Sequence, residues 1–179
     1  TAIPALKPAP IQINYLGYPG TMACDFIDYI LVDHTVAPPH DQPHYSERLV
    51  QLPHSYQIND SKRHISSNVP DRLQSNLPGY GFVFTCFCNS WKITPELFDS
   101  WLSLLKNVNA SVLWLLDTDE NVKQNLRSYA LKQRIHPARL IFAKHAPLPD
   151  HLARHANADL CLDTLHYNGH TTTSDALWS

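Results

Sequence analysis

Short apolar runs alternate with amphipathic segments in the second half of the chain. The apolar runs predict buried strands at 82–87, 111–116, 140–143 and 160–162. The segments between and after them have helical spacing and predict helices at 95–106, 121–134, 149–155 and from Thr171 onward. Strands that alternate with helices form a parallel α/β sheet with right-handed crossovers. The C-terminal ends of the strands then share one edge, where such sheets bind ligands.

The first part of the chain predicts strands without long helices between them. Alternation at 11–15 and apolar runs at 26–32 and 47–52 indicate three strands, and the proline-rich residues 1–10 are expected to be extended. Residues 53–81 are polar and broken by prolines and glycines, with little periodicity. We therefore predict three segments, a domain at 1–55, a linker at 56–81 and a second domain at 82–179.

Composition narrows the possible functions. The chain has 179 residues, 44% of them hydrophobic and 17% charged, which is typical of a folded globular protein. Its net charge is −2 and no cluster of lysine or arginine occurs, so neither nucleic acid nor a membrane is an expected partner. No apolar stretch approaches the ~20 residues of a membrane span, and no signal peptide is visible. Four cysteines among strand-like residues predict reduced core thiols in a cytoplasmic protein.

The segment 167–175 lies where a predicted strand leads into a predicted helix. It holds Gly169, His170 and three threonines, Thr171 to Thr173. Backbone N–H groups at the start of a helix have no partner within the helix and attract anions, so this junction can bind a phosphate. The alternative is an ordinary helix cap, with a threonine or serine at the N-cap and Asp175 completing a capping box.

A second candidate follows the first strand of the predicted sheet. Asn89, Ser90 and Lys92 precede Pro95, which is typical of the first position of a helix. Lys92 can reach a bound phosphate, although a solvated loop lysine is the alternative interpretation. Because this junction and the one at 167–175 belong to the same sheet edge, together they favour a diphosphate ligand.

Two patterns raise the possibility of a metal, and neither predicts one. Asp117 and Asp119 form an Asp-x-Asp pattern, but Asp119 is explained as an acid at the start of the next helix. His151 and His155 have the i, i+4 spacing of zinc ligands, yet no cysteine or acid with ligand spacing accompanies them. The other histidines that could converge there are His145, His166 and His170. Cys86 and Cys88 are interpreted as opposite faces of one strand.

The sequence resembles the O-linked N-acetylglucosamine transferase family, glycosyltransferase family 41, most of all its bacterial members. The resemblance rests on the segments 16–21, 28–30, 44–47, 52–60, 82–95, 111–116, 158–164 and 168–178. It implies an α/β fold of the GT-B type, with two Rossmann-like domains. The chain would cover the end of the first and most of the nucleotide-binding half of the second. It also implies transfer of a sugar from a nucleotide donor to protein serine or threonine, with no metal or other cofactor.

The resemblance also implies roles for individual residues. Lys92 and His170 would be catalytic. The implied nucleotide-sugar ligands are Asn89, Lys92, Ala146, His151, Arg154, His170, Thr171, Thr172 and Asp175. Among them Lys92, His170, Thr171 and Thr172 would hold the diphosphate, Asp175 the ribose, and Ala146 and Arg154 the uracil. The chain departs from animal members at Asn89, where they have glutamine, at Leu148, where they have a ribose-binding lysine, and at Thr173, where they have glycine.

Three functional hypotheses follow. The first is a metal-independent, inverting transferase that uses UDP-GlcNAc and whose parent protein carries acceptor-binding tetratricopeptide repeats. The second is a SPINDLY-like protein O-fucosyltransferase that uses GDP-fucose, although those enzymes usually lack the Asn168-Gly169-His170 sequence found here. The third is a truncated, non-catalytic nucleotide-binding fragment. Because the chain does not begin with Met and ends at Ser179, we expect a fragment that alone transfers nothing.

Overall fold

A computed structural model describes residues 2–179. The chain forms two compact units, one ending at Asp60 and the other beginning at Ser61. Both units contain parallel sheets, and the sequence predicts this arrangement for the second.

The first unit has three strands, β1 (Ile13–Asn14), β2 (Tyr29–Asp33) and β3 (Arg48–Leu52), all at predicted places. They form one sheet in the order β1-β2-β3. Their core is formed by Ile30 and Val32, which are buried. The expectation that residues 1–10 are extended is wrong for α1 (Ala2–Ala5). Pro4 is tolerated there because the first N–H groups of a helix need no partner.

The second unit has four strands, β4 (Val83–Cys86), β5 (Val112–Leu116), β6 (Leu140–Ala143) and β7 (Leu160–Cys161). They form an all-parallel sheet in the order β6-β5-β4-β7. The helices are α2 (Pro95–Asn107), α3 (Glu120–Lys132), α4 (Leu148–Arg154) and α5 (Thr171–Trp178). The predicted alternation of strands and helices is confirmed.

The strand order places a topological switch point at β4. The chain runs outward from β4 to β5 and β6 on one side and later returns to place β7 on the other side. Open parallel sheets bind ligands at such a point, outside the C-terminal ends of the strands. The two predicted anion-binding junctions are the segments that leave β4 and β7.

The core of the second unit is built mainly on α2. Pro95 occupies its first turn, and the Thr94 hydroxyl caps it by accepting from the Leu97 N–H at 3.3 Å. The predicted helix start is therefore confirmed. One face of α2 buries five apolar side chains, and these are Leu97, Phe98, Trp101, Leu102 and Leu105. They pack on apolar residues of β4 and β5.

The segment from Ser61 to Gly81, in the region predicted as a linker, belongs to the second unit. It forms no helix or strand, but polar contacts fix it to the unit. Ser66 donates its backbone N–H to the Pro149 carbonyl at 3.1 Å, and Arg72 forms an ion pair with Asp159 at 3.1 Å.

All four cysteines are free, but their places differ from the prediction. Cys86 and Cys88 belong to one core cluster. Their assignment to opposite faces of one strand is wrong, because β4 ends at Cys86 and the chain beyond it turns the Cys88 side chain into the same core cluster. Only these two are core thiols, since Cys24 is partly exposed and Cys161 is exposed.

Within residues 2–179, none of the helices has both the length and the apolar character needed to traverse a lipid bilayer.

Candidate functional site

The junctions after β4 and β7 meet at the switch point. Lys92 donates from Nζ to the backbone carbonyl of Asn168 at 2.9 Å. Its ammonium group also lies 4.4 Å from the centre of the Tyr167 ring. The sequence-based expectation that both junctions share one edge agrees with these contacts.

A short 3-10 turn, Ser90–Lys92, fixes the lysine. The Asn89 side chain caps this turn by accepting a hydrogen bond from the Trp91 N–H at 3.5 Å. Asn89 remains exposed, so its amide group can also reach a ligand beside Lys92.

Asp163, which the sequence analysis did not select, organises the junction after β7. Its Oδ1 accepts from the N–H groups of Thr164 at 2.7 Å and Gly169 at 2.6 Å. Its Oδ2 accepts from the Asn168 side chain at 3.3 Å. An acid directly after a buried strand is the signal that could have identified it, since carboxylates commonly order such turns by accepting backbone N–H bonds.

Gly169 lets the turn approach the beginning of α5 closely. A Cβ atom at this position would lie 2.5 Å from the Thr173 hydroxyl and 2.6 Å from the Thr172 hydroxyl. The absence of a side chain therefore allows the threonine hydroxyls to face the turn.

The N-terminus of α5 carries no capping side chain. His170 is the N-cap residue, and its side chain makes no capping hydrogen bond. Asp175 lies one turn inside the helix, where it is buried and paired with Arg63. The capping-box interpretation is therefore wrong. The first turn, with Thr171 and Thr172, retains the geometry of an anion-binding helix start.

His170 is placed beside this helix start by an aromatic contact. Its ring stacks on that of Tyr167, with centroids 5.5 Å apart and planes 2° from parallel. Burial, and then the nearby charge of Lys92, lower the pKa of His170 from its ordinary value. His170 is thus kept neutral at physiological pH, where it can donate or accept a hydrogen bond.

A cleft of about 240 Å³ adjoins the first turn of α5. Four of its lining residues were predicted as donor ligands, namely Ala146, His151, Arg154 and Thr172. The other lining residues are Phe87, Leu116, His145 and Leu148. The cleft combines apolar and polar walls, as small-ligand sites do.

Arg154 forms one wall of this cleft and is itself buried. Its Nη1 donates to the Lys144 carbonyl at 2.6 Å, and its Nη2 contacts His151 Nδ1. The guanidinium carbon lies 4.5 Å from the centre of the Phe87 ring. These contacts hold Arg154 and His151 as one rigid pair.

The environment of His151 keeps its ring neutral. Burial, followed by the charge of Arg154, lowers the pKa of His151 from 6.5 to about 4. The neutral ring accepts a hydrogen bond from Arg154, whereas a protonated ring would be repelled by it.

We expect His151 to make the protein acid-sensitive. As the pH falls from 6.5 to about 4, the unfolded state takes up the proton first, so the stability linked to neutral His151 is lost across this range. Urea unfolding at pH about 7 and about 5 should show a smaller loss of stability for His151→Asn than for the natural sequence. Replacement of the exposed His54 is the control and should leave the loss unchanged. An equal loss in His151→Asn would contradict the assignment.

The candidate metal residues are used otherwise. Asp117 accepts from Lys123 Nζ at 2.8 Å, and Asp119 caps α3 by accepting from the Asn121 N–H at 2.8 Å. The interpretation of Asp119 as a helix-start acid is confirmed. His155 bonds the backbone carbonyl of His151 at 2.8 Å. Within residues 2–179 no three histidine, cysteine or acidic side chains are grouped as metal ligands.

Sequence reasoning also missed a thiol beside the helix start. Cys88 Sγ lies 3.2 Å from the Thr172 hydroxyl. Its hydrogen bond with Cys86 is the main cause that lowers the pKa of the Cys88 thiol below its ordinary value, and the Thr172 hydroxyl lowers it further. Cys88 thus helps to hold a hydroxyl that faces the site.

Comparison with known proteins shows the family of the chain. The chain matches the family described as glycosyl transferase family 41 over residues 1–70 and 64–179. The probable UDP-N-acetylglucosamine–peptide N-acetylglucosaminyltransferase SEC of Arabidopsis thaliana is 40% identical over 98% of the chain. The probable UDP-N-acetylglucosamine–peptide N-acetylglucosaminyltransferase SPINDLY of Solanum lycopersicum is 32% identical over 97% of the chain. The chain spans 18% and 19% of the lengths of these relatives.

A solved structure extends the comparison to the fold. A mutant of the O-GlcNAc transferase of Thermobaculum terrenum superposes with a TM-score of 0.83 at 29% identity. The match covers 98% of this chain and 33% of that one. The fold and site thus define a Rossmann-like part of a GT-B glycosyltransferase. The chain belongs to glycosyl transferase family 41.

Proposed function

We propose that the protein containing this chain transfers N-acetylglucosamine from UDP-GlcNAc to serine or threonine hydroxyls of proteins. The observation that carries the proposal is the meeting of Lys92 with the uncapped start of α5, beside a cleft of about 240 Å³. A cation, a helix N-terminus and an adjoining cleft suit a nucleoside diphosphate. The names of the relatives in the same family support the choice of donor and of a peptide acceptor.

In this proposal each part of the donor has its own place. The diphosphate binds Lys92, His170 and the first turn of α5 at Thr171 and Thr172. The uracil enters the cleft near the Ala146 backbone and Arg154, with His151 beside it. Asp175 binds the ribose, and Asn89 contacts the donor from the turn after β4.

The chemistry follows from where negative charge develops. The acceptor hydroxyl attacks the anomeric carbon from the side opposite the diphosphate and gives up its proton to solvent water. The bond between that carbon and the diphosphate oxygen breaks, and the diphosphate leaves with the electron pair. Lys92 and the N-terminus of α5 stabilise the departing diphosphate, which is the large term in such a reaction. His170, neutral and stacked on Tyr167, donates a hydrogen bond to the same group. The configuration of the sugar is thereby inverted.

We further propose that the reaction needs no metal, because a lysine and a helix N-terminus already supply the positive potential that a divalent cation would bring. The two aspartates of the Asp-x-Asp pattern are occupied by Lys123 and by the cap of α3. EDTA should leave transfer unchanged. Loss of activity with EDTA and its recovery with Mn²⁺ would overturn this part of the proposal.

The test of the donor is a comparison of two radiolabelled sugars. The complete protein should transfer label from UDP-GlcNAc to a protein acceptor and bind UDP more tightly than GDP in calorimetry. Transfer from GDP-fucose instead would favour the SPINDLY-like alternative. Binding without transfer from either donor would favour a non-catalytic nucleotide-binding protein.

The remaining expectations concern the parent protein. We propose that a protein or peptide is its acceptor and that tetratricopeptide repeats present this acceptor. A cytoplasmic location is proposed from the four free thiols.

A further inference from the structure

Arg63 lies in the irregular segment that precedes β4, yet it reaches into α5. Its Nη1 donates to Asp175 Oδ1. The two side chains are only 11% and 8% exposed. Because charges withdrawn from water are costly unless they are paired, each group depends on the other.

The surroundings hold the Arg63 guanidinium in one orientation. Its central carbon lies 5.3 Å from the centre of the Trp178 ring, one turn of α5 beyond Asp175. Its Nε and Nη2 are buried and have no hydrogen-bond partner among residues 2–179. Asp175 is therefore the polar group that engages this guanidinium, and the stacking restricts how it can turn.

Asp175 belongs to the face of α5 that carries the donor site. It follows Thr171 by four positions and Thr172 by three, and residues at these spacings share one side of a helix. Thr172 lines the cleft. Asp175 therefore shares a side of α5 with Thr172, and its buried carboxylate lies one turn behind the proposed diphosphate site.

We infer that Arg63 is a positioning residue for donor recognition, which fixes the Asp175 carboxylate so that it selects a nucleotide with intact ribose hydroxyls. The inference rests on the proposed function, because it takes a nucleoside diphosphate as the ligand. Arg63 occupies Oδ1 and sets the plane of the carboxylate, and a carboxylate has a second oxygen that accepts hydrogen bonds. A rigid acceptor distinguishes a hydroxyl from its absence better than a mobile one.

The inference assigns a role in recognition to a segment without helix or strand. The sequence places this segment outside the predicted second domain, but Arg63 belongs to the same compact unit as α5. Donor specificity would then depend on contacts between residues more than a hundred positions apart in sequence.

The test compares UDP with 2′,3′-dideoxy-UDP in calorimetry on the complete protein. The natural sequence should prefer UDP by about 10- to 100-fold, the range of one well-placed hydrogen bond to a charged group. Arg63→Met should reduce the preference to less than about 3-fold and leave the affinity for dideoxy-UDP within about 3-fold. Asp175→Asn should behave similarly, and the double variant should be no worse than Asp175→Asn alone.

Arg72→Met is the matched control, since Arg72 comes from the same segment and pairs with Asp159 away from the donor side. It should retain the natural preference. Arg63→Lys keeps the charge without the planar guanidinium, so its preference for UDP should lie between those of the natural sequence and Arg63→Met. If thermal melting shows that Arg63→Met is unfolded, Arg63→Lys is used in its place.

The outcomes separate this inference from the proposed function. If Arg63→Met prefers UDP over 2′,3′-dideoxy-UDP as strongly as the natural sequence does, the inference is wrong and the proposed function is unaffected. The same holds for Arg63→Lys if that variant replaces Arg63→Met. Tight UDP binding without preference for ribose hydroxyls in the natural sequence would overturn the inference alone. Failure of the natural protein to bind UDP would overturn both.

Discussion

Replacing Lys92 by methionine should lower the rate of sugar transfer by the complete protein about 10²- to 10³-fold. This is the usual effect of removing one preorganised group that stabilises developing charge. Lys92 Nζ is held between the Asn168 carbonyl and the Tyr167 ring, so its position does not depend on substrate binding. Methionine keeps the length and apolar character of the side chain and removes the charge.

Binding should fall as well as turnover. Loss of a charge-assisted hydrogen bond corresponds to about 1.5–3 kcal/mol of UDP affinity. Lys144→Met is a matched control, because Lys144 is an exposed lysine that follows β6 at the same edge of the sheet. Steady-state kinetics and calorimetry would measure both effects. UDP affinity within a factor of two of the natural value in Lys92→Met would show that Lys92 does not contact the diphosphate.

The elements of the second unit were predictable because hydrophobic periodicity is a local property. The run at 111–116 and the helical spacing at 95–106 lie close to β5 and α2 as observed. The same patterns predicted which edge of the sheet would bind a ligand, because the C-terminal ends of parallel strands all lie at one edge and such sheets bind ligands there. What periodicity could not supply is the order of the strands, which depends on packing between distant segments.

The sequence indicates the residues of the candidate site that lie at strand ends and helix starts. It does not indicate the side-chain pairs that hold the site together. Lys92 and the threonines of α5 were visible as residues at strand ends and helix starts. The pairing of Asp175 with Arg63 was not, because Arg63 lies in a polar segment without periodicity. The neutral state of His151 also depends on burial and on Arg154, and no sequence pattern encodes either contact.

The core of the second unit and the donor cleft share an aromatic wall. Trp114, on β5, is 1% exposed and contacts the Phe87 ring edge-on at 5.0 Å. Phe87 in turn lines the cleft and contacts the rings of His151 at 5.2 Å and His155 at 5.1 Å. The position of the cleft wall therefore depends on a side chain that lies behind it.

Replacing Trp114 by alanine should cost about 3–5 kcal/mol of unfolding free energy, because the missing indole leaves a cavity that the sheet cannot close. It should also weaken UDP binding, since Phe87 and Arg154 lose the surface on which they pack. Urea unfolding of the complete protein, followed by calorimetry at a temperature where the variant is folded, would measure the two effects.

Trp114→Phe is the informative control for this prediction. The Trp114 Nε1 group is buried without a hydrogen-bond partner among residues 2–179, so a phenyl ring removes a costly polar group while keeping much of the packing. We therefore expect Trp114→Phe to lose less than half of the stability lost by Trp114→Ala. The exposed Trp91 provides a second comparison, and its replacement by alanine should change stability by about 0.5 kcal/mol or less. Equal losses in Trp114→Phe and Trp114→Ala would show that a phenyl ring recovers none of the packing of the indole, and would contradict this prediction.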